Sequence, residues 1–210
     1  MTRGGVEQRR YAYLPAYGKQ LIWDWFQRGE RGLNNPPSES FEPFIYTWFS
    51  LNAWAACVTD EDRDRVWQDH LADDSGLSQR FEQMRQKDVV FRESLDHFVS
   101  FWPIFEVKSI RRIAPKYRQD RTLENRSGLL KELAKQGVPY QPNGWVLGDD
   151  VAWPHLMQTL ARVRNNLFHG DKGADDLVDQ AIVHAALRVL VHFLRGAQLF
   201  TPSPPLSSKE

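Results

Sequence analysis

The sequence predicts an all-α fold: a helical bundle with one mixed, irregular insertion ahead of its last two long helices. Three observations carry that expectation. None of the twelve prolines lies between Phe44 and Trp102 or between His155 and Thr201. Proline inside a helix costs roughly 3 kcal/mol, so both windows can hold long helices. Apolar residues recur there at helical spacing, and strand-like alternation is scarce everywhere. A chain of 210 residues suits one domain. We assign residues 1–200 to it, with 103–148 as an ordered basic insertion and 201–210 as a disordered tail.

The elements follow in order. Leu14, Leu21, Ile22, Trp25 and Phe26 predict a first helix over residues 8–28, with Gly29 and Gly32 after it. Beyond the loop Asn34-Asn35-Pro36-Pro37, Ser38 or Ser40 caps a second helix over residues 41–58. Its apolar line contains one polar member, Asn52. Thr59 or Asp60 caps a short acidic helix ending near His70. Phe81, Met84, Phe91, Leu95 and Phe98 predict one long helix over 77–101. In the insertion, Pro115, Pro139, Pro142 and Asn143-Gly144 mark turns around a helix near 124–136. Trp102, Phe105, Tyr117, Tyr140 and Trp145 anchor it. Asp149 and Asp150 start a helix whose stripe is Trp153, Leu156, Leu160, Val163 and Leu167. Gly170 and Gly173 end it. A strongly periodic helix over 174–200 closes the bundle.

Composition excludes several classes. The 27 Lys and Arg balance 27 Asp and Glu, which argues against a globally basic nucleic-acid protein. Cys57 is the one cysteine, so no intrachain disulfide or Cys-rich zinc site can form; its apolar neighbours predict a small buried side chain. The N-terminal MTRGG has no apolar run behind it, which predicts no signal peptide. The 17 uncharged residues 43–59 hold Thr47, Ser50 and Asn52, as a buried helix would rather than a membrane span. A soluble cytoplasmic protein with no membrane partner is expected.

Chemistry concentrates in Arg164-Asn165-Asn166-Leu167-Phe168-His169-Gly170-Asp171-Lys172. On a continuous helix, Arg164 and His169 would stand about 140° apart. A helix ending near Phe168, with Gly170 in the left-handed conformation, permits their convergence. Arg164 continues the line Met157, Ala161, Phe168, where a guanidinium needs an anion, a partner or a watery cleft. Arg can stabilise phosphate charge in a transition state, and His can move a proton near neutral pH. The same letters also suit a plain helix end, since both cations favour the negative end of the helix dipole.

Arg164-Asn165-x-x-x-His169 resembles the signature of the HEPN superfamily, and its position between two long helices matches. The aromatic, Asn-containing helix FIYTWFSLNAW (residues 44–54) is similar to one found in many HEPN proteins. The resemblance covers residues 8–101 and 149–200, not the insertion or the tail. It implies an α-helical bundle that dimerises, and a metal-independent endoribonuclease acting as toxin, antiviral effector or RNA-processing enzyme. It implies attack by the ribose 2′-hydroxyl, with Arg164 and His169 as catalytic residues and Asn165 in support. It also leaves open a non-catalytic module that binds a nucleotide or partner, or a toxin silenced by a nucleotidyltransferase antitoxin. A two-fold axis would supply two copies of His169, one as base and one as acid.

Further candidates are weaker. Asn52 either hydrogen-bonds a neighbouring helix or orients His169 or RNA. Lys172 can touch a phosphate or simply face solvent. Residues 106–137 carry nine bases against four acids. Arg111, Arg112, Lys116 and Arg118 there suit RNA backbone contacts, with Tyr117 placed to stack on a base. They equally suit pairing with the acidic segment 60–74, which has seven acids and two arginines. The remaining histidines are too scattered for a metal site, and no cofactor is expected.

Overall fold

The computed structural model describes residues 6–113, 126–146, 148–168 and 176–200. Ten α-helices, two short 3₁₀ turns and one pair of two-residue strands make up the regular structure of these residues, as the all-α expectation requires.

The first helix divides in two. α1 (Gln8–Tyr13) stops at Leu14, whose extended backbone precedes Pro15, and α2 (Ala16–Arg31) begins after it. The residue before a proline is pushed out of the helical region, so one helix over 8–28 was not available. α3 (Phe41–Thr59) matches its expected span. Asp60 does not cap the helix that follows. It adopts the left-handed conformation, φ 57°, and closes α3 through its N–H to the Ala56 carbonyl. α4 (Asp64–Ala72) therefore starts later. The long helix expected over 77–101 also breaks, into α5 (Ser75–Lys87) and α6 (Val89–Val99). Asp88 is the cause: its backbone is extended, and its carboxylate accepts the Phe91 N–H as the cap of α6.

The insertion is ordered where it is described. β1 (Ile104–Phe105) pairs antiparallel with β2 (Tyr140–Gln141). Between them lie α7 (Val107–Ile113) and α8 (Arg126–Lys135). Phe105, Ile110, Leu133 and Val138 form a small core of their own. Trp102 and Trp145 meet edge to face at 5.1 Å and join the insertion to the main core. Tyr117 and the tail 201–210 lie outside the described residues.

α9 (Trp153–Phe168) and α10 (Leu177–Gly196) complete the bundle. α9 starts later than expected. Asp149 accepts the Val146 N–H, and Asp150 pairs with Arg85 of α5 at 2.6 Å. Asp176 caps α10 by accepting the N–H groups of Val178 and Asp179. α10 is apolar and long enough to cross a membrane, but 67% of that stretch is buried, as in the core helix of a soluble protein. It packs on α3 and α6, while α2 lies along α3 and α4 along α9. Phe44, Trp48 and Trp67 make a continuous aromatic interior, each completely buried.

The α2–α3 contact is close because Gly29 has no side chain. A Cβ there would enter the van der Waals shell of Thr47 Oγ1 and lie 2.8 Å from the Pro43 carbonyl oxygen. Gly29→Ala is therefore expected to lower stability by about 1–3 kcal/mol in urea unfolding, as overpacking does. Gly128→Ala, whose Cβ meets nothing within 4 Å, should instead raise it by about 0.5–1 kcal/mol through helix propensity.

Candidate functional site

α9 is held on α4 at two points. At its start, Trp153 Nε1 donates to the Leu71 carbonyl at 2.6 Å. At its end, Arg164 Nη2 meets Asp64 Oδ2 at 2.8 Å. Arg164 lies one turn before Phe168, the last described residue of α9. Its guanidinium sits 4.4 Å from the centre of the Phe168 ring, a cation–π distance. Nη1 donates to Asn165 Oδ1 at 3.0 Å. Nε is buried and has no hydrogen-bond partner among the described residues. The Arg164 side chain is only 20% exposed.

Arg164 and its sequence neighbour Asn165 are hydrogen-bonded to each other. His169 and Lys172 lie outside the described residues. Phe168, the last described residue of α9, is 50% exposed, and Leu177, the first residue of α10, 74%. Phe168 also packs on Phe49 of α3, which contacts Trp25 of α2. Asn52, expected to be buried, is half-buried one turn beyond Phe49. Cys57 is likewise half-buried, and desolvation still pushes its thiol upward.

Two other polar side chains matter more than the sequence suggested. Asn166 is 3% exposed. Its Nδ2 donates to the Phe105 carbonyl at 2.9 Å, and its Oδ1 accepts the Val107 N–H at 3.3 Å. It thereby binds the insertion to α9. The signal was present: Asn166 stands three residues after Val163, on the apolar stripe, where a polar side chain must find buried partners. Glu106 is the second. It accepts from Arg162 Nη1 at 2.6 Å and from the Ser109 hydroxyl. The Ser109 hydrogen bond, and then Arg162, hold its carboxyl below the ordinary carboxylate range.

The remaining expectations divide. Arg111 is half-buried and Arg112 exposed, both on α7. Lys116 and Arg118 lie outside the described residues. In the acidic segment, Asp60, Glu61 and Asp64 pair with Arg10, Arg63 and Arg164, so these three acids serve the bundle. His184 Nδ1 lies 2.8 Å from the Ser40 hydroxyl, and burial lowers its pKa. His155 Nδ1 accepts the Ala152 N–H. Among the described residues, no three His, Cys, Asp or Glu side chains gather to hold a metal ion.

Chemically, the end of α9 offers an oriented cation that is paired with Asp64, lies over an apolar ring and keeps N–H donors unused by these contacts. That arrangement can hold an anion at a defined place. The chain matches no known protein-family model, no curated protein and no solved structure.

Glu106 yields a pH test. Its folded pKa is depressed, so its stabilising effect is complete above its ordinary value of 4.5 and disappears as pH falls through the lower folded value. The gap in urea midpoint between wild type and Glu106→Gln should be largest near neutrality and narrow as pH falls below 4.5. A gap that stays constant across that range would contradict the assignment.

Proposed function

We propose that the chain is a metal-independent endoribonuclease of the HEPN type that acts as a homodimer in the cytoplasm. In this reading Arg164 binds the scissile phosphate and neutralises the charge that grows on it. His169 from one subunit takes the proton of the ribose 2′-hydroxyl. The 2′-oxygen forms a bond to phosphorus, the bond from phosphorus to the 5′-oxygen breaks, and His169 from the other subunit protonates that leaving oxygen. The products are a 2′,3′-cyclic phosphate and a 5′-hydroxyl. Asn165 keeps the guanidinium oriented. A toxin or antiviral role, and silencing by a nucleotidyltransferase antitoxin, belong to the same reading.

The setting of Arg164 carries the reading. It is pre-oriented by Asp64, Asn165 and Phe168 at the end of the helix that leads into His169. A guanidinium has five N–H donors, and Asp64 and Asn165 engage only one nitrogen each. The exposed Phe168 and Leu177 supply apolar surface at the facing ends of α9 and α10 for a two-fold contact.

One observation favours a second reading, a binding module without catalysis. Asp64 already satisfies the charge of Arg164, as a structural tie between α4 and α9 would.

The full chain in EDTA, incubated with total RNA and tRNA, separates the two. The nuclease reading expects cleavage by wild type and a loss of about 100-fold or more in both His169→Ala and Arg164→Ala. Circular dichroism checks that Arg164→Ala still folds, since Asp64 loses its partner. RNA left intact by wild type favours the binding module. Cleavage by both variants at the wild-type rate moves the site elsewhere.

A further inference from the structure

A groove of about 560 Å³ opens where α4, α9 and the turn after β2 meet. Its floor is apolar: Ala72, Met157 and Ala161 are all buried. Carboxamides stand around it. Gln68 comes from α4, Gln141 from β2, Asn143 from the turn, and Gln158 and Asn165 from α9. A carboxamide presents two donors and an acceptor with no net charge, the pattern that reads base edges.

Two polar atoms of the lining residues lie beneath the groove surface without partners. Gln141 Oε1 and Arg162 Nε are both buried and unbonded among the described residues. Charge excludes a simple anion site. Asp64 is neutralised by Arg164 and Glu106 by Arg162. At the exposed rim, Asp69 and Arg65 carry opposite signs. An apolar floor and a neutral polar wall of carboxamides suit a flat heterocycle better than a phosphate.

Position supplies the last step. Asn165 lines the groove while its Oδ1 accepts from Arg164 Nη1. The groove and the guanidinium are neighbours through one side chain. The geometry points to a nucleobase subsite: the α4–α9 groove takes one unpaired base of single-stranded RNA beside the phosphate held by Arg164. This inference rests on the ribonuclease reading and deepens it, because the subsite gives the enzyme a choice of base.

The test measures binding without cleavage. The probes are fully 2′-O-methylated hexanucleotides, which have no 2′-hydroxyl to attack, and the same oligomers with abasic positions. Fluorescence anisotropy of the full chain reads affinity. Asn143 and Gln158 are exposed, so Asn143→Ala/Gln158→Ala should fold as wild type does. The double variant is expected to bind the base-containing probe about 5–10-fold more weakly, and abasic probes should lose a similar factor on wild type. The slope of affinity against salt should stay unchanged, since phosphate contacts remain. Equal binding of abasic and complete probes, equal binding by variant and wild type, or no binding by wild type overturns the inference. The two readings fail separately. Base-dependent binding with no cleavage of natural RNA sinks the nuclease and leaves the subsite. Cleavage with unaltered binding in the double variant does the reverse.

Discussion

Trp153 sets the position of everything at the site. Its ring stacks on Phe193 of α10 at 4.5 Å and meets Phe81 of α5 at 6.3 Å, while its N–H reaches the Leu71 carbonyl in α4. One side chain thus touches three helices at the start of α9. Trp combines a large apolar surface with one donor that must be satisfied when buried, so its orientation is determined by both demands together. From that anchor α9 runs eleven residues, about 16 Å, to Arg164. There the Asp64 ion pair ties it again to the opposite end of α4.

That double attachment has a functional consequence. A guanidinium on a long flexible stem loses much rotamer freedom on binding an anion. Here Asp64, Asn165 and Phe168 have already restricted it. The insertion joins the same unit through Asn166 and through the Arg162–Glu106 pair. The arginine, the groove and the insertion are therefore mechanically one assembly, all referred to α9. Removing one partner of such a partly buried network leaves the other groups unsatisfied, so the polar contacts here specify geometry more than they add stability.

The helical character and the span of α3 were legible in the sequence because apolar periodicity and proline position determine them directly. The breaks were legible only in part. Pro15 stood in plain view inside the expected first helix. Asp88 is subtler, because aspartate inside a helical pattern reads as a surface residue until its carboxylate is seen accepting the Phe91 N–H. Asp60 served the opposite end of a helix from the one expected. At the candidate site, the sequence singled out Arg164 and Asn165, whereas the buried anchor is Asn166. Only the tertiary partners, Phe105 and Val107 some sixty residues away, distinguish the two asparagines. The Asp64 partner of Arg164 was hidden for the same reason, since nothing local links residues 64 and 164. The neutral total charge also concealed structure: opposite charges were placed in contact, Asp64 with Arg164 and Glu106 with Arg162.

The central claim is a chemical one, that Arg164 and His169 direct a 2′-hydroxyl onto the adjacent phosphorus. Mass spectrometry of the ends left on a defined single-stranded oligoribonucleotide, cut in EDTA, tests it most directly. The account predicts a 2′,3′-cyclic phosphate on one fragment and a 5′-hydroxyl on the other, with no cutting at a position carrying 2′-deoxyribose. Fragments ending in 3′-hydroxyl and 5′-phosphate, or cleavage at the deoxy position, would contradict it.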